Sequence, residues 1–402
     1  MILKKRSKQL FGTDGVRGQA GRYPLDPVTV RSLGSALGRH LQGRGRPLKV
    51  VIGYDTRQSS LPLCSQMVAG MRKEGTEAVV AGVIPTPGIA YLARTGPYGA
   101  GVVISASHNP YRDNGIKFFQ ADGTKLPDDD EAWLETQVLD AQPPAGPEPP
   151  GMETVATDSS LARGYMHHLG AIARQRGDLS GCRVVVDCAN GAAAPITPDL
   201  MKGLGIEAVF MGNLPDGTNI NTGCGSLHPQ RRARTVVEQG VDMGLAMDGD
   251  ADRCLVVDDT GRVLDGDFIL YMAARDLKQR GLLNGCAVVA TVMSNLWLEE
   301  RLEAEGMKML RTPVGDKYVL QEMLRGDHML GGEQSGHVIF RHHATTGDGL
   351  LTGLIVLGIW KSDGRRLSQM VEGIHPCPQL LINVQVRQKP DLEDHPLLGP
   401  IL

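Results

Sequence analysis

The stretch of sequence that decides the fold runs from residue 49 to residue 84 and reads KVVIGYDTRQSSLPLCSQMVAGMRKEGTEAVVAGVI. It contains two apolar, β-branched runs, Lys49–Tyr54 and Glu77–Ile84, which are typical of buried strands. The segment between them is long enough for a helix. Alternation of strand and helix favours parallel strands joined by helical crossovers, so the first expectation is a layered α/β fold.

The same alternation continues along most of the chain. Further buried strands are predicted at Gly101–Ser105, Arg183–Asp187, Glu207–Met211, Met243–Met247, Ala287–Val292 and Met307–Arg311. Helices are predicted in the gaps, notably at Ala194–Leu204, Pro229–Gln239, Gly266–Gln279, Asn295–Glu305 and Asp348–Trp360. This pattern predicts a multi-domain α/β protein with mixed, mostly parallel sheets.

A proline-rich segment, Ala141–Gly151 (AQPPAGPEPPG), is the clearest candidate for a linker, because proline is excluded from helix interiors and central strands. It predicts a first α/β domain over residues 1–155. A second and a third α/β domain are predicted over residues 156–257 and 258–374. Residues 375–402 are too few to build a core of their own.

The composition is that of a globular protein and argues against several other classes. Of the 402 residues, 41% are hydrophobic and 22% are charged, and the net charge is −3, whereas nucleic-acid binding needs a basic surface. No apolar run approaches the roughly 18–20 residues of a membrane span, and the start lacks the apolar segment of a secretory signal. Seven cysteines without a CxxC pair predict reduced thiols and a cytoplasmic location.

An acidic motif, Asp248-Gly-Asp250-Ala-Asp252-Arg253, lies between two apolar runs and therefore on a tight connection beside buried strands. Two unpaired carboxylates 5 Å apart repel by roughly 3 kcal/mol at an effective dielectric constant near 20. A divalent cation with oxygen ligands removes that penalty, so the motif predicts a metal site.

The acidic motif has two other interpretations. A solvated acidic turn is compatible with its Asp and Gly content, and the motif alone leaves that alternative open. A calcium-binding EF-hand loop would need Gly at the sixth position and Glu at the twelfth, where this chain has Arg253 and Asp259. The EF-hand interpretation is therefore poor.

A candidate nucleophile lies in Ser105-Ala-Ser107-His108-Asn109-Pro110, which directly follows a predicted strand. The carboxyl ends of parallel strands are where α/β proteins place their sites. A serine hydroxyl needs help from a base or a metal, and His108, Lys117 or a nearby cation could supply it. The alternative is a polar loop with a solvated Lys117.

Two glycine-rich motifs complete the candidate set. Phe11–Gly18 (FGTDGVRG) combines glycines with Thr13 and Arg17, which suits close approach to an anion, although it lacks the ending of a phosphate-binding P-loop. Gly331–His337 (GGEQSGH) offers groups that hydrogen-bond sugar hydroxyls, and a proton carrier. The alternatives are an ordinary turn and a hairpin.

Three further residues are given secondary roles. Asp55 and Arg57 follow the Lys49–Tyr54 strand, so a place in the site is plausible for both. Asp348 directly precedes a long apolar helix, and it is predicted to cap that helix.

Together, the four motifs resemble those of the α-D-phosphohexomutase family, and within it the bacterial phosphoglucosamine mutases. FGTDGVRG, SASHNP, DGDADR and GGEQSGH occur in the family's order, and the resemblance covers nearly the whole chain. Gln334 favours the glucosamine branch, because the phosphomannomutase/phosphoglucomutase branch usually has Met there. The resemblance implies an intramolecular phosphotransferase, an enzyme of the isomerase class.

The resemblance also implies a role for each matching residue. Ser107 would carry the phosphoryl group, and one Mg²⁺ per chain would be bound by Ser107, Asp248, Asp250 and Asp252. The transferring phosphate would be surrounded by Arg17, His108, Lys117, Arg253 and His337. The substrate would be contacted by Thr13, Arg253, Glu333 and Ser335.

The implied reaction interconverts glucosamine 6-phosphate and glucosamine 1-phosphate through a bisphosphate sugar, which also acts as activator. Either His337 or Lys117 could take the hydroxyl proton, and the sequence leaves this choice open. No nucleic-acid or membrane partner is expected, and the chain is expected to be a monomer or a homodimer. The alternatives are glucose or mannose phosphates as substrates, or an inactive protein that binds metal and sugar phosphate.

One departure from the family pattern concerns the end of the chain. The family's fourth domain carries an Arg-containing loop that grips the phosphate not being transferred, and nothing resembling it follows Val386. Residues 375–402 are therefore interpreted as the remnant of a truncated fourth domain. Because binding energy remote from the chemistry supports the rate, slow turnover is expected of this form.

Overall fold

The structure is a computed structural model that describes residues 9–12, 14–140, 155–380 and 382. It consists of three α/β domains, each built on its own sheet. Thr13, the candidate linker and most of the 375–402 segment lie outside the described residues, so what was predicted for them stays a prediction.

The first domain is built on a five-stranded sheet. Its strands are β1 (Val16–Gln19), β2 (Lys49–Tyr54), β3 (Glu77–Val83), β4 (Ala100–Ile104) and β5 (Asp113–Gln120), in the order β1-β5-β4-β2-β3. Its helices are α1 (Pro27–Gly43), α2 (Ser60–Lys73), α3 (Thr86–Thr95) and α4 (Asp128–Leu139). Strands β2, β3 and β4 are parallel, whereas β5 pairs antiparallel with β4 and β1. Helices cover the parallel strands, which explains why the β2 sequence is continuously apolar.

The second domain repeats this design with five strands in the order β10-β9-β8-β6-β7. The strands are β6 (Arg183–Asp187), β7 (Glu207–Met211), β8 (Met243–Met247), β9 (Cys254–Val257) and β10 (Val263–Leu264). The helices are α5 (Ser159–Gln175), α6 (Thr197–Gly203) and α7 (Pro229–Gln239). Strands β6, β7 and β8 are parallel, and β9 returns antiparallel to β8. The acidic motif is the connection between β8 and β9.

The third domain has a four-stranded sheet in the order β12-β11-β13-β14. The strands are β11 (Ala287–Thr291), β12 (Lys308–Thr312), β13 (Leu330–Gly332) and β14 (Val338–Phe340). The helices are α8 (Gly266–Gln279), α9 (Leu296–Ala304), α10 (Asp316–Arg325), α11 (Gly349–Asp363) and α12 (Leu367–Met370). Strands β11, β12 and β13 are parallel, and β13 and β14 form an antiparallel hairpin around the GGEQSGH motif.

The largest apolar core is continuous across all three domains. It joins Val51 and Phe119 of the first domain, Tyr165 of the second, and Leu354 and Leu357 of the third. The α11 helix is buried along most of its length and packs against α5, α8 and β9. A helix that is apolar on all sides is stable only in such a central position.

No helix within the described ranges is both long enough and apolar enough to cross a membrane.

Most predicted elements are confirmed to within a few residues. Asp348 is the N-cap of α11, as predicted, and accepts a hydrogen bond of 2.9 Å from the Leu351 amide. The helix predicted over Ala194–Leu204 begins only at Thr197. The preceding turn passes so close to the acidic motif that a Cβ on Gly191 would lie 2.2 Å from the Gly249 carbonyl oxygen.

Several of the observed strands were not predicted, and β5 matters most for the site. Residues 113–120 form β5, although the sequence DNGIK suggested a polar loop. In β5, Lys117 pairs with Val103 of β4, so its side chain is buried and not solvated. Because β5 returns antiparallel to β4 without an intervening helix, a prediction based on the alternation of parallel strands and helices does not find it.

Candidate active site

The nucleophile loop and the acidic motif meet at the carboxyl ends of the two neighbouring sheets. The Ser105–Pro110 loop follows β4, and the Asp248–Arg253 loop follows β8. The Ser107 hydroxyl donates a hydrogen bond of 2.5 Å to Asp248 Oδ2, although the two residues are 141 positions apart. The central geometric requirement of phosphotransfer, a hydroxyl beside an acidic cluster, is therefore present.

The backbone of Ser107 is held firmly. Its φ of +50° lies in the left-handed region, which costs a non-glycine residue about 1–2 kcal/mol. Its carbonyl oxygen accepts hydrogen bonds from Arg57 Nη2 at 3.1 Å and from Asn221 Nδ2 at 2.9 Å, and its amide donates to Ser105 Oγ at 3.0 Å. The same carbonyl would lie 2.3 Å from a Cβ on Gly249, so the acidic motif needs glycine there.

The three aspartates form a compact, buried cluster. One side-chain oxygen from each of Asp248, Asp250 and Asp252 lies within 4.8 Å of the others. Burial and the neighbouring carboxylates of Asp252 and Asp250 raise the pKa of Asp248 well above its usual range. Burial acts on Asp252 too, but Lys117 and His337 hold its pKa well below the usual range.

The cluster fits a divalent cation. Among the described residues, Asp250 Oδ1 and Asp252 Oδ1 are buried without a hydrogen-bond partner. Buried oxygens of this kind are costly unless a donor or a cation satisfies them. A solvated acidic turn does not fit, because Asp248, Asp250 and Asp252 are at most 4% exposed.

Lys117 reaches the cluster from β5. Its ammonium lies 2.9 Å from Asp250 Oδ2, 3.4 Å from Asp252 Oδ2 and 3.0 Å from Asp14 Oδ2. Burial lowers the pKa of Lys117, but the carboxylates of Asp14, Asp250 and Asp252 outweigh this effect and raise it well above its usual value. Lys117 is therefore a buried positive charge at neutral pH.

His337 reaches the cluster from the third domain. Its Nδ1 lies 3.7 Å from Asp252 Oδ2, and its Nε2 lies 3.4 Å from Asp316 Oδ2. The same Nε2 accepts a hydrogen bond of 2.8 Å from the Gly347 amide. Burial lowers the pKa of His337, but the Asp252 and Asp316 carboxylates raise it overall. Because Nε2 accepts from the Gly347 amide, it carries no proton while that bond is made, and Nδ1 is the nitrogen that faces Asp252.

Three further predicted residues surround the nucleophile. His108 Nδ1 lies 3.3 Å from Ser107 Oγ. Burial lowers the pKa of His108, and so do the positive charges of Arg253 and Arg17, so its ring is neutral near pH 7. Arg17 pairs with Asp14 at 2.6 Å and stays 30% exposed, while the Arg253 side chain is 24% exposed. Both guanidinium groups are available to an anion.

A cleft of about 560 Å³ opens beside these groups, between the first and third domains. The predicted residues that line it are Arg17, His108, Asp252, Arg253, Glu333 and His337. Glu333 Oε1 accepts a hydrogen bond of 3.0 Å from the Gly315 amide, and Ser335 Oγ lies 3.4 Å from Glu333 Oε2. The Gln334 carbonyl oxygen accepts a hydrogen bond of 2.9 Å from the Gly266 amide at the start of α8, which ties the GGEQSGH loop to that helix.

Asp55 and Arg57 support the nucleophile loop, so they are more than the secondary candidates that the sequence suggested. Their side chains form a buried ion pair, and Arg57 Nη2 donates to the carbonyl oxygens of Ser107 and Asn109 at 3.1 and 2.6 Å. Thr13, the remaining predicted substrate contact, lies outside the described residues.

Sequence reasoning missed Thr86, whose hydroxyl donates a hydrogen bond of 2.7 Å to Asp250 Oδ2, as well as Asp14, Asn221, Lys125 and Asp316. Asp14 lies inside the FGTDGVRG motif, and Asn221 belongs to a loop without a motif of its own. Lys125 follows β5, and Asp316 follows β12 at the start of α10. For Asp316 a signal existed, because residues just after the carboxyl end of a parallel strand are site candidates.

The fold and the site together define a phosphotransfer enzyme built from α/β/α domains. Comparison with known families agrees: residues 8–144, 163–261 and 265–377 match the α/β/α domains I, II and III of phosphoglucomutase/phosphomannomutase. The chain belongs to this family, the α-D-phosphohexomutases, and is therefore an enzyme of the isomerase class that acts in carbohydrate metabolism.

Two named relatives and one solved structure give a more specific comparison than the family match. A protein named phosphoglucosamine mutase from Solibacter usitatus is 46% identical over 98% of this chain and 87% of its own length. Another of that name, from Desulforudis audaxviator, is 47% identical over 97% of this chain and 86% of its own length. A phosphoglucomutase/phosphomannomutase family protein from Burkholderia thailandensis superimposes with a TM-score of 0.74 at 27% identity, over 88% of this chain and 77% of that one.

Proposed function

We propose that this chain interconverts glucosamine 6-phosphate and glucosamine 1-phosphate, with Ser107 carrying the phosphoryl group. The observation that carries the proposal is the 2.5 Å contact between Ser107 Oγ and Asp248 Oδ2 inside a buried acidic cluster. The substrate follows from the names of the relatives that are 46% and 47% identical. The position of Gln334 in the GGEQSGH loop supports the same branch.

Mg²⁺ is the metal proposed for the acidic cluster. Asp248, Asp250 and Asp252 would hold one ion together with an oxygen of phosphorylated Ser107, since Mg²⁺ prefers oxygen ligands. When bound, the ion neutralises part of the charge on the transferring phosphoryl group. The oxygens of Asp250 and Asp252 that lack partners among the described residues support this assignment.

The cations around the cleft account for the remaining charge. Phosphorylation of Ser107 adds nearly two negative charges beside three carboxylates. Lys117 is buried among these carboxylates, and Arg17 and Arg253 border the cleft where the phosphate of a substrate would lie. Phosphoryl transfer depends chiefly on positioning and charge stabilisation, which this arrangement provides.

The proposed transfer moves one phosphoryl group at a time. A substrate hydroxyl oxygen forms a bond to phosphorus as the bond from phosphorus to Ser107 Oγ breaks, and the hydroxyl proton passes to a base. His337 is the better candidate for this base, because Lys117 is held protonated by three carboxylates. The bisphosphate sugar then reorients and returns its other phosphoryl group to Ser107, which completes the isomerisation.

Glu333 and Ser335 are the proposed sugar contacts. The Glu333 carboxylate lines the cleft and is oriented by the Gly315 amide, so it can accept hydrogen bonds from sugar hydroxyls. Thr13 is proposed as a further substrate contact on the basis of the motif alone. A cytoplasmic location is proposed as well, since all seven cysteines lie in the described ranges and are free.

The proposal is tested by intact-mass measurement after incubation with a bisphosphate sugar and Mg²⁺. The expected result is a species heavier by about 80 Da, the mass of one phosphoryl group, which is absent from Ser107→Ala. Turnover of glucosamine 6-phosphate should exceed that of glucose and mannose phosphates. Absence of any phosphorylated species would favour a protein that binds but does not transfer.

A further inference from the structure

Six titratable side chains form a closed ring beside the cleft, in which carboxylates alternate with two lysines and the imidazole of His337. In order around the ring they are Asp252, Lys117, Asp14, Lys125, Asp316 and His337. The distances between successive charged atoms are 3.4, 3.0, 2.5, 2.7, 3.4 and 3.7 Å. We call this set the charge ring.

The charge ring draws on all three domains. Lys117, Asp14 and Lys125 come from the first domain, and Asp252 from the second. Asp316 and His337 come from the third domain, at the start of α10 and just before β14. The ring therefore fixes the relative position of two groups that act in the proposed transfer, Lys117 and His337, although they lie on different domains.

Lys125 occupies the position where the ring crosses from the first domain to the third. Its ammonium lies 2.5 Å from Asp14 Oδ1 and 2.7 Å from Asp316 Oδ2, and its side chain is 12% exposed. Without Lys125, the carboxylates of Asp14 and Asp316 would face each other across the interface, or seam, between the first and third domains. Like charges in a partly buried site repel strongly, so the ring would open at this point.

We propose that Lys125 is a positioning residue, which keeps the charge ring closed and so sets Lys117 and His337 at their working separation. The inference rests on the proposed phosphotransfer function. It adds a further requirement for activity. Lys125 controls the rate although, among the described residues, it does not contact the acidic cluster.

The same seam contains a matched pair outside the ring. Lys317 Nζ lies 2.9 Å from Asp128 Oδ1 and donates to the Leu126 carbonyl oxygen at 3.2 Å. This pair joins the same two domains, with the lysine now on the third domain and the aspartate on the first. Lys125→Met and Lys317→Met therefore each remove one lysine from the seam, and Lys125→Met alone opens the ring.

The test compares steady-state kinetics of the full chain carrying Lys125→Met, Lys125→Arg or Lys317→Met. Lys125→Met should lower kcat about 10- to 100-fold with a smaller change in KM, and Lys125→Arg should recover part of the loss. Lys317→Met should stay within about three-fold of the parent protein. Equal losses in the two methionine variants, or a change confined to KM, would overturn the inference.

A second measurement needs no activity and covers a folding defect in Lys125→Met. The thermal unfolding midpoints of Lys125→Met, His337→Gln and their double variant form a cycle, and Lys317→Met with His337→Gln forms the control cycle. If the ring acts as a unit, the first cycle is non-additive and the second additive. Additive shifts in both would overturn the inference. If the parent protein neither turns over nor becomes phosphorylated, the proposed function fails instead. Should Lys125→Met not fold, Lys125→Met/Asp316→Asn, which removes both charges, takes its place.

Discussion

The seam between the first and second domains differs sharply from the seam between the first and third. In the first seam, neutral hydrogen bonds to backbone atoms accompany the fully buried contacts of Lys117 with Asp250 and Asp252. The Thr86 amide donates to the Asp250 carbonyl oxygen at 2.9 Å, and Thr56 Oγ1 donates to the Asn190 carbonyl oxygen at 2.5 Å. The other seam surrounds a cleft of about 560 Å³ and is joined largely by charged pairs such as Lys125–Asp316.

This difference assigns phosphoryl transfer and substrate movement, the two parts of the proposed reaction, to different interfaces. Buried, direct hydrogen bonds fix Ser107 against Asp248 before any substrate arrives, which suits a reaction that depends on positioning. The more exposed pairs of the other seam, such as Lys317–Asp128 with its aspartate 43% exposed, can exchange partners at little cost, because a solvent-exposed ion pair contributes only about 0–1 kcal/mol. We call the interface between the first and second domains the closed seam, and the interface between the first and third domains the open seam. The open seam can therefore admit, release and reorient a sugar phosphate, while the closed seam keeps the reacting groups in place.

The largest expected effect comes from Asp250→Asn at the closed seam. Removing one charge from the cluster, and with it one partner of the buried Lys117, should weaken Mg²⁺ binding by about 100-fold or more and abolish turnover. The fold should survive, because the acids lie on a loop. Titration calorimetry with Mg²⁺ and circular dichroism measure both outcomes.

Asp178→Asn, an exposed aspartate of the second domain, is the matched control for Asp250→Asn and should leave Mg²⁺ binding unchanged. Global unfolding of Asp250→Asn would show that the cluster is structural, and the contrast between the two seams would then lose its meaning.

Glu333→Gln probes the open seam. Replacing an ionised acceptor by a neutral one should lower kcat/KM for glucosamine 6-phosphate about 10- to 100-fold. Phosphorylation of Ser107 should remain, because the hydrogen bonds of the Glu333 side chain within the described residues go to Gly315 and Ser335 and not to the Ser107 loop. Kinetics and intact mass are measured side by side, with exposed Glu303→Gln of α9 as the control. If Glu333→Gln also prevents phosphorylation, the two seams are not separate in function.

Asn221→Gly tests how much one neutral contact of the closed seam contributes. Asn221 donates to the carbonyl oxygens of Ser107 and Asn109 at 2.9 and 3.0 Å, and its φ of +60° suits glycine. Unfolding free energy should fall by about 1–2 kcal/mol, with a several-fold loss in kcat. Thr345→Val removes one hydroxyl donor from the open seam, a 2.6 Å bond to the Gly123 carbonyl oxygen, and should cost less kcat. The reverse order would contradict the comparison.

The smallest effect on activity is expected at a buried contact between the second and third domains. Tyr165 donates a hydrogen bond of 2.8 Å to Asp348 Oδ2, and burial raises the pKa of Asp348 to about 6. Because this pKa exceeds the unfolded value near 3.9, Asp348 stabilises the fold fully only below pH 4. About 3 kcal/mol of that stability is lost as the pH rises through 6.

Asp348→Asn should therefore become more stable relative to the parent protein between pH 4 and pH 7, with activity little changed. Denaturant unfolding of both proteins at several pH values measures the difference. A difference that does not vary with pH would show that Asp348 is not titrating in this range.

Some features of the site could be predicted because they are local. A triad of aspartates in DGDADR and a serine directly after a strand carry their chemistry in the order of residues, and the placement rule for parallel strands locates both at one edge. Lys117 was singled out for its motif, yet its burial on β5 was not foreseen. Strand β5 runs antiparallel, and its polar sequence does not show the apolar run that marks a buried strand.

The charge ring and the support of the nucleophile loop were beyond prediction for a different reason. Asp316 contacts His337 only because α10 packs against β13, the partner of β14 in the hairpin that carries His337, and Lys125 meets Asp316 across 191 positions of sequence. Asn221 lies in a loop whose composition is that of an ordinary turn. Such contacts depend on how the three domains pack against one another, which no local pattern records.

The sequence by itself determined the α/β layers, the succession of site motifs and the identity of the groups that carry charge, because periodicity and residue chemistry are written along the chain. Only the tertiary structure decided which of these groups touch, which are buried and which face an open cleft. Contact and burial set the strength of every electrostatic interaction in the site, and both arise from packing between segments that are far apart in sequence.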